Sequence, residues 1–519
     1  MDLYHLRFRL YNGQRNRLRT ERSRIRKDHT MRYQNPILRG DYSDPDVIRV
    51  GEDFYMISSS FTYVPGIPVL HSRDLVHWEL IGYAADHLPF ERYRKPAHKC
   101  GTWAPSLRYH QGLFYVYVCL PDEGLFAFTA KDPAGRWDCH WVKDVSGWID
   151  PCPLFDDDGR TWLVHGFAAS RCGINNILYA HEMSPDGLTV LDKGVLVYSG
   201  ADHGDITVEG PKWYKRNGTY WIMCPAGGVK PGYQLAMRSE NVLGPYEPRT
   251  VLAQGSTAVN GPHQGGWFDD GQGRDWFIHF QDIGVYGRVP HLQPVDWSDG
   301  WPVMGRNGEP VAEGDTGLPE YPLSIPTSDT FEGAPGLQWQ WQANPDPAWY
   351  QAMKPGLRLY AAPADTLFEA GQFLSQLMQC YDFDMETSVR FAPRPGDACG
   401  IGMIGYPYHY LCLEEGRIRV IRGDITEYGR SIPERIRENV LAEEPVNGDN
   451  LRMRMRVRNG EMRFDYALPG EAWQEIGESC PLAAGGWTAA RPGIFCLNRQ
   501  GTWGGYADFG YVRFTEKEQ

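Results

Sequence analysis

What most restricts the fold of this 519-residue chain is a degenerate unit that returns five times within roughly its first three hundred residues. Each copy opens on a polar or acidic residue beside Pro or Gly, passes through an apolar stretch and a tight turn, and ends in an aromatic-rich strand. The copies are SDPDVIRVGEDFYMISS from Ser43, WAPSLRYHQGLFYVYV from Trp103, IDPCPLFDDDGRTWLVHG from Ile149, VEGPKWYKRNGTYWIM from Val208 and PHQGGWFDDGQGRDWFIHF from Pro262. With Asp44, Trp103, Asp150, Glu209 and His263 as equivalents, the period is near fifty residues, about the length of a four-stranded propeller blade. The pieces GED, HQG, DDDGR, RNG and DDGQGR split each copy into two strand patterns, a hairpin signature. Five copies predict a five-bladed β-propeller that closes at about Pro310.

In a propeller the start of each blade's innermost strand lies near the central axis, so equivalent residues converge although they are far apart in sequence. Three of the five are carboxylates: Asp44, Asp150 and Glu209. Glycoside hydrolysis needs one acid to protonate the leaving oxygen and one carboxylate to activate water or attack carbon. A third can keep the acid protonated by like-charge repulsion and orient it. Each acid also has a structural reading: Asp before Pro is a common turn residue, Asp150 can initiate a turn, and Glu before Gly-Pro can be a solvated strand end. Recurrence at one repeat position favours the chemical reading. Asp156, Asp157, Asp158, Glu52, Asp53, Asp269 and Asp270 fall at the hairpin turns and are assigned to turn chemistry. Asp46 is the reserve carboxylate, since two residues after Asp44 it points the same way in an extended segment.

After YPLSIPTSDTFEG the unit disappears and WQWQANPDPAW opens a different texture. Long alternating stretches follow: DMETSVRFAP, CGIGMIGYPYHYLCLEE, GRIRVIRG, LRMRMRVRNGEMRFDYAL and GYVRFTE. They read as antiparallel strands of a β-sandwich. The expected architecture is all-β, with a basic, disordered leader over 1–30, a propeller catalytic domain over 31–325 and a sandwich domain over 326–519. An aromatic content of 13% beside 58 Gly and 38 Pro suits short strands, many turns and flat surfaces for stacking sugars.

The formal net charge of -13 argues against a nucleic-acid partner. Only the first thirty residues run against it, with nine Lys or Arg and three acids; a basic arm for an anionic surface is the alternative to a leader before a start at Met31. No apolar run reaches the roughly 18 residues of a membrane span, and the leader lacks a secretory h-region. A cytoplasmic protein with no membrane partner is expected; a homo-oligomer is left open. Eleven cysteines without a C-x-x-C predict reduced, mostly buried thiols and no zinc site, with Cys152 and Cys224 in packing roles.

The ordered motifs NPILRGDYSDPDVIRV, GTWAPSLRYH, WIDPCPLFDDDGR, TVEGPKWYKRNGTYW and GRVPHLQPVDWSDGWP resemble glycoside hydrolase family 43. These are five-bladed enzymes that act on xylosides and arabinofuranosides, and the likeness is to the two-domain β-xylosidases in particular. It covers Met31 to about Pro310 strongly and the C-terminal region, a concanavalin A-like jelly roll in that family, more weakly. It implies Asp44 as the general base, Glu209 as the general acid, and Asp150 as the modulator that raises the pKa of Glu209 and positions it. The family inverts configuration in one displacement, which implies roughly 6.5 to 9.5 Å between Asp44 and Glu209 and no covalent intermediate.

His263 resembles a family histidine that lies beneath the site, ligating a water-rich calcium ion or ordering water; a satisfied core histidine is the alternative. The sequence offers no Asp/Glu cage, so any Ca2+ is mostly hydrated, and no cofactor is required. Arg288 resembles the family arginine that hydrogen-bonds the sugar or steadies a carboxylate. Trp103 and Phe61 wall the pocket or fill the blades. In some members a sandwich loop closes one side of the pocket, and Trp503 in RQGTWGGYADF is the candidate, with surface decoration as its alternative.

The expected activity is exo-acting, inverting release of terminal β-D-xylose from xylo-oligosaccharides, with α-L-arabinofuranosidase or dual activity as the alternative. A non-catalytic carbohydrate-binding propeller would have its axial carboxylates missing or scattered. Retaining fructoside-cleaving enzymes carry an N-D-P-N-G first motif where this chain reads SDPDV.

Overall fold

The computed structural model describes residues 30–428 and 433–517. All but Thr30 of the expected leader therefore lies outside the described residues. Five four-stranded antiparallel meanders form the blades of a propeller. Their innermost strands are Asp46–Val50, Trp103–His110, Trp148–Phe155, Lys212–Arg216 and His263–Asp269. Thr30–Gln34 pairs with Glu313–Pro319 outside the blades. The ring closes without a shared strand: the Asn35 amide donates to the carbonyls of Leu292 and Val311, and Arg49 pairs with Asp269 at 2.7 Å across blades one and five.

Every inner strand is entered through a residue of positive φ: Asp44 (56°), Ala104 (35°), Asp150 (56°), Gly210 (59°) and Gln264 (35°). In four blades the next residue is Pro, which disfavours the right-handed helical conformation in the residue before it. Aspartate tolerates the left-handed region better than most non-glycine residues. The repeat is thereby shifted from the sequence alignment by one residue in three blades. Ala104, Gly210 and Gln264 are the true counterparts of Asp44 and Asp150, and Trp103, Glu209 and His263 each stand one residue earlier.

Two residues after each entrance lie Asp46, Ser106, Cys152, Lys212 and Gly266, and four of these build a polar plug. Asp46 Oδ2 accepts from the Leu107 N–H and from Arg108 Nη1, both at 2.9 Å, with Lys212 Nζ at 3.8 Å. Lys212 donates to Ser106 Oγ at 2.7 Å, and Cys152 Sγ accepts from Arg108 Nη2 at 2.7 Å and from the Trp213 N–H at 3.1 Å. A Cβ on Gly266 would sit 2.2 Å from Asp46 Oδ1, so only glycine fits there. Asp46, the reserve carboxylate, is thus fully buried as the counter-charge of two cations and is spoken for. Asp46→Ala leaves both cations uncompensated and is expected to cost about 3–5 kcal/mol in urea unfolding; a loss under about 1 kcal/mol would contradict this assignment.

The C-terminal domain stacks a seven-stranded sheet on an eight-stranded one. Asn450–Arg458 shows the logic of the alternation: Leu451, Met453, Met455 and Val457 are buried, while the arginines between them face outward. Strand Tyr408–Glu414 of the eight-stranded sheet is buried on both faces, since Leu411 and Leu413 join the inter-sheet core while Tyr408 and Tyr410 pack under Leu367, Phe368 and Phe373. The two domains meet through a backbone pair between Val64 and Trp341 and through Arg491, whose guanidinium lies 3.7 Å over the Tyr63 ring. All eleven cysteines are free thiols, exposed only at Cys139 and Cys172. No helix among the described residues is long and apolar enough to cross a membrane.

Candidate active site

The carboxylates gather where the inner strands begin, each held differently. Asp44 is buried, and its Oδ2 accepts from Ser59 Oγ at 2.6 Å and Ser43 Oγ at 3.1 Å. Asp150 is also buried; its Oδ2 accepts the Gly210 N–H at 2.8 Å and Gln264 Nε2 at 3.2 Å. Glu209 enters from the preceding repeat position and keeps 25% of its side chain exposed, with Oε1 2.9 Å from His263 Nε2. Asp150 therefore grips the backbone directly after Glu209 and fixes where that side chain starts.

Burial pushes the Asp150 carboxyl well above its ordinary value, and the charges of Glu209 and Asp44 push it further; the Gly210 N–H and Lys212 oppose them. Desolvation and like charge act together here, both disfavouring the ionised form.

Arg288 reaches in from blade five. Its Nη1 donates to Ser43 Oγ at 3.1 Å and lies 3.7 Å from Asp44 Oδ1, with the guanidinium over the Phe280 ring. The fork touches Asp44 only at ion-pair range, which leaves donors for a ligand.

His263 is tied into the carboxylate set. Its Nε2 is engaged by Glu209, while Nδ1 is buried with no partner among the described residues. Among those residues no group of three or more His, Cys, Asp or Glu is arranged to hold a metal. With one imidazole nitrogen and no oxygen cage among the described residues, a Ca2+ here, which takes six to eight oxygens, would be held almost wholly by water.

Phe61 and Trp103 both pack against a residue the sequence reading missed. Trp487 of the sandwich packs edge-on against Trp103, with centroids 4.9 Å apart, and tilted against Phe61 at 6.5 Å. Trp103 is tied to the carboxylates through its neighbour, because the Ala104 N–H donates to Ser59 Oγ, which in turn donates to Asp44. The Arg171 guanidinium lies over the Trp103 ring, 4.9 Å from its centroid. The sandwich loop that reaches Phe61 and Trp103 is 485–488, before strand Arg491–Asn498, whereas Trp503 follows that strand at its opposite end and is 48% exposed. GGWT and GTWGG carry the same Gly-Trp signal, and nothing local to the sequence ranks them.

Residues 33–302 match the model for glycosyl hydrolases family 43, and residues 328–515 match the beta-xylosidase C-terminal concanavalin A-like domain. The chain is similar to a putative beta-xylosidase of Xylanibacter ruminicola, 38% identical over 90% of this chain and 86% of that protein. It is also similar to a non-reducing end alpha-L-arabinofuranosidase of Bacteroides ovatus, 33% identical over 70% of this chain and 71% of that protein. Among solved structures, the xylan beta-1,4-xylosidase of Bacillus halodurans C-125 superposes with a TM-score of 0.83 at 25% identity, covering 93% of this chain and all of that one.

Proposed function

The chain belongs to glycosyl hydrolase family 43, and from that membership and its pocket we propose an exo-acting, inverting β-xylosidase that releases terminal D-xylose from xylo-oligosaccharides. In this reading Asp44 is the general base: it takes a proton from a water as the water oxygen bonds to the anomeric carbon. Glu209 is the general acid and gives its proton to the leaving oxygen as the glycosidic bond breaks. One water is consumed, and both carboxyls are reset by exchange with solvent. Asp150 positions Glu209 through Gly210. His263 orients the Glu209 carboxylate, and Arg288 meets the sugar hydroxyls while steadying Asp44. The Phe61, Trp103 and Trp487 wall packs on sugar C–H faces and favours the end of a chain over its middle.

The observation that carries the reading is that the three carboxylates are held in two ways, Asp150 and Glu209 joined through the Gly210 N–H and Asp44 by hydrogen bonds from Ser59 and Ser43 beside Arg288. Likeness to the Bacteroides arabinofuranosidase favours a second reading in which the same machinery releases terminal α-L-arabinofuranose. A cytoplasmic setting, where only short imported chains are met, goes with either, and cell fractionation tests it. Rates on aryl β-D-xyloside and aryl α-L-arabinofuranoside, measured side by side with Glu209→Ala as control, separate the two sugars. A dominant xyloside rate that vanishes in the control is expected; arabinofuranoside dominance keeps the mechanism and changes the sugar.

A further inference from the structure

Asp41 is a buried carboxylate three residues before Asp44 that the proposed reaction does not use. Its two oxygens accept backbone N–H groups from different domains: Oδ1 from Arg288 at 2.9 Å and Oδ2 from Ala489 of the sandwich at 2.7 Å. Gly287 makes the approach feasible, since its φ is 85° and a Cβ there would lie 2.5 Å from Asp41 Cγ. A parallel bond runs from the Ala490 N–H to the Val285 carbonyl at 2.9 Å, so the sandwich segment and the propeller segment lie side by side with Asp41 bridging them.

Each end of this bridge carries a pocket group. Arg288 sends its guanidinium to Ser43 and Asp44. Two residues before Ala489, Trp487 lies inside a turn closed by the Gly485 N–H to Thr488 carbonyl bond at 2.8 Å, and packs on Trp103 and Phe61. Burial raises the Asp41 pKa, while the two N–H bonds and the charges of Arg288 and Arg491 pull it down.

We infer that Asp41 is a positioning residue coupling the sandwich domain to the reaction centre, its one carboxylate setting Arg288 and the Trp487 loop in a fixed mutual geometry. The inference rests on the proposed role of the pocket, but the bridge has a signature independent of turnover. A brace that serves stability alone would shift unfolding and leave kcat in place; a positioning residue shifts kcat, and makes the effect of Trp487 depend on its own presence.

The test compares Asp41→Asn, Asp41→Ala, Trp487→Ala and the double Ala variant in the full chain. Asparagine is nearly isosteric, but its amide offers one acceptor oxygen to two N–H donors, so one bond must break. Asp41→Asn is expected to lower kcat on aryl xyloside about 10- to 100-fold with KM changed less, the size of effect that a displacement near 1 Å produces. The double variant is expected to be no slower than the slower single one, as for residues acting through one another. Amide hydrogen exchange should accelerate together in 283–290 and 484–491. Parent-like kinetics in Asp41→Asn, multiplicative effects in the double variant, or loosening of one segment alone would each overturn the coupling. If the parent turns over no glycoside, the functional reading fails, and exchange in the two segments still decides the bridge.

Discussion

Glu209→Gln is expected to lower kcat on xylobiose by about 10²- to 10⁴-fold while costing far less on a dinitrophenyl xyloside. A sugar leaving oxygen departs as a strong base and needs the proton that glutamine cannot give; dinitrophenolate leaves unaided. The loss should therefore scale with the basicity of the leaving group. Asp44→Asn gives the complementary pattern, a comparable loss on both substrates, because water must be deprotonated whatever leaves. The two carboxyls are held differently: Glu209 is the exposed member of the set and bonds to His263, while Asp44 is buried against Ser59 and Arg288. Equal losses on both leaving groups in Glu209→Gln would remove it from the acid role.

Asp150→Asn should abolish most activity, by about 10²-fold or more, and yet raise the melting temperature at neutral pH. The sign follows from the raised carboxyl. A folded pKa above the unfolded value means that the folded chain binds more protons, so this group's contribution to stability falls as pH rises from the unfolded value near 3.8 toward the elevated folded one. Each unit of elevation corresponds to about 1.4 kcal/mol. Asparagine keeps an oxygen for the Gly210 N–H and Gln264 Nε2 and carries no charge to desolvate. Melting curves of parent and variant between pH 5 and pH 8 should diverge as pH rises, with the variant above. A variant that melts below the parent at pH 7 would show that Asp150 contributes a structural bond the amide cannot replace.

The propeller was legible because its geometry recurs in sequence: a chain turning onto the axis needs a residue tolerant of positive φ, and in four blades a proline follows it. What the letters do not carry is φ itself, so matching by chemistry aligned Glu209 and His263 with Asp44 when their neighbours Gly210 and Gln264 occupy that position. That offset has chemical content, since it places Glu209 at a different repeat position and a different exposure from the two aspartates. Asp46 misled for a related reason. Its partners Arg108 and Lys212 lie in other blades, and only the assembled ring reveals that it is neutralised.

His263 was singled out by position, but its bond to Glu209 depends on how two blades meet. The tryptophan that meets Phe61 and Trp103 was unreadable for a stronger reason. Trp487 and Trp503 flank the same strand in Gly-rich loops, and which end faces the propeller is fixed by the Val64 and Trp341 pair and by Asp41. Asp41 has no repeat counterpart at all, and its meaning lies wholly in the two backbone donors it joins.

The central claim is that Asp44 directs water to the anomeric carbon from the face opposite the leaving group. It is tested most directly by a proton-NMR time course of aryl β-D-xyloside hydrolysis, read before mutarotation. The account predicts that α-xylose appears first and the β anomer grows in later; β-xylose as the first product would mean a covalent intermediate, and Asp44 could not be the base.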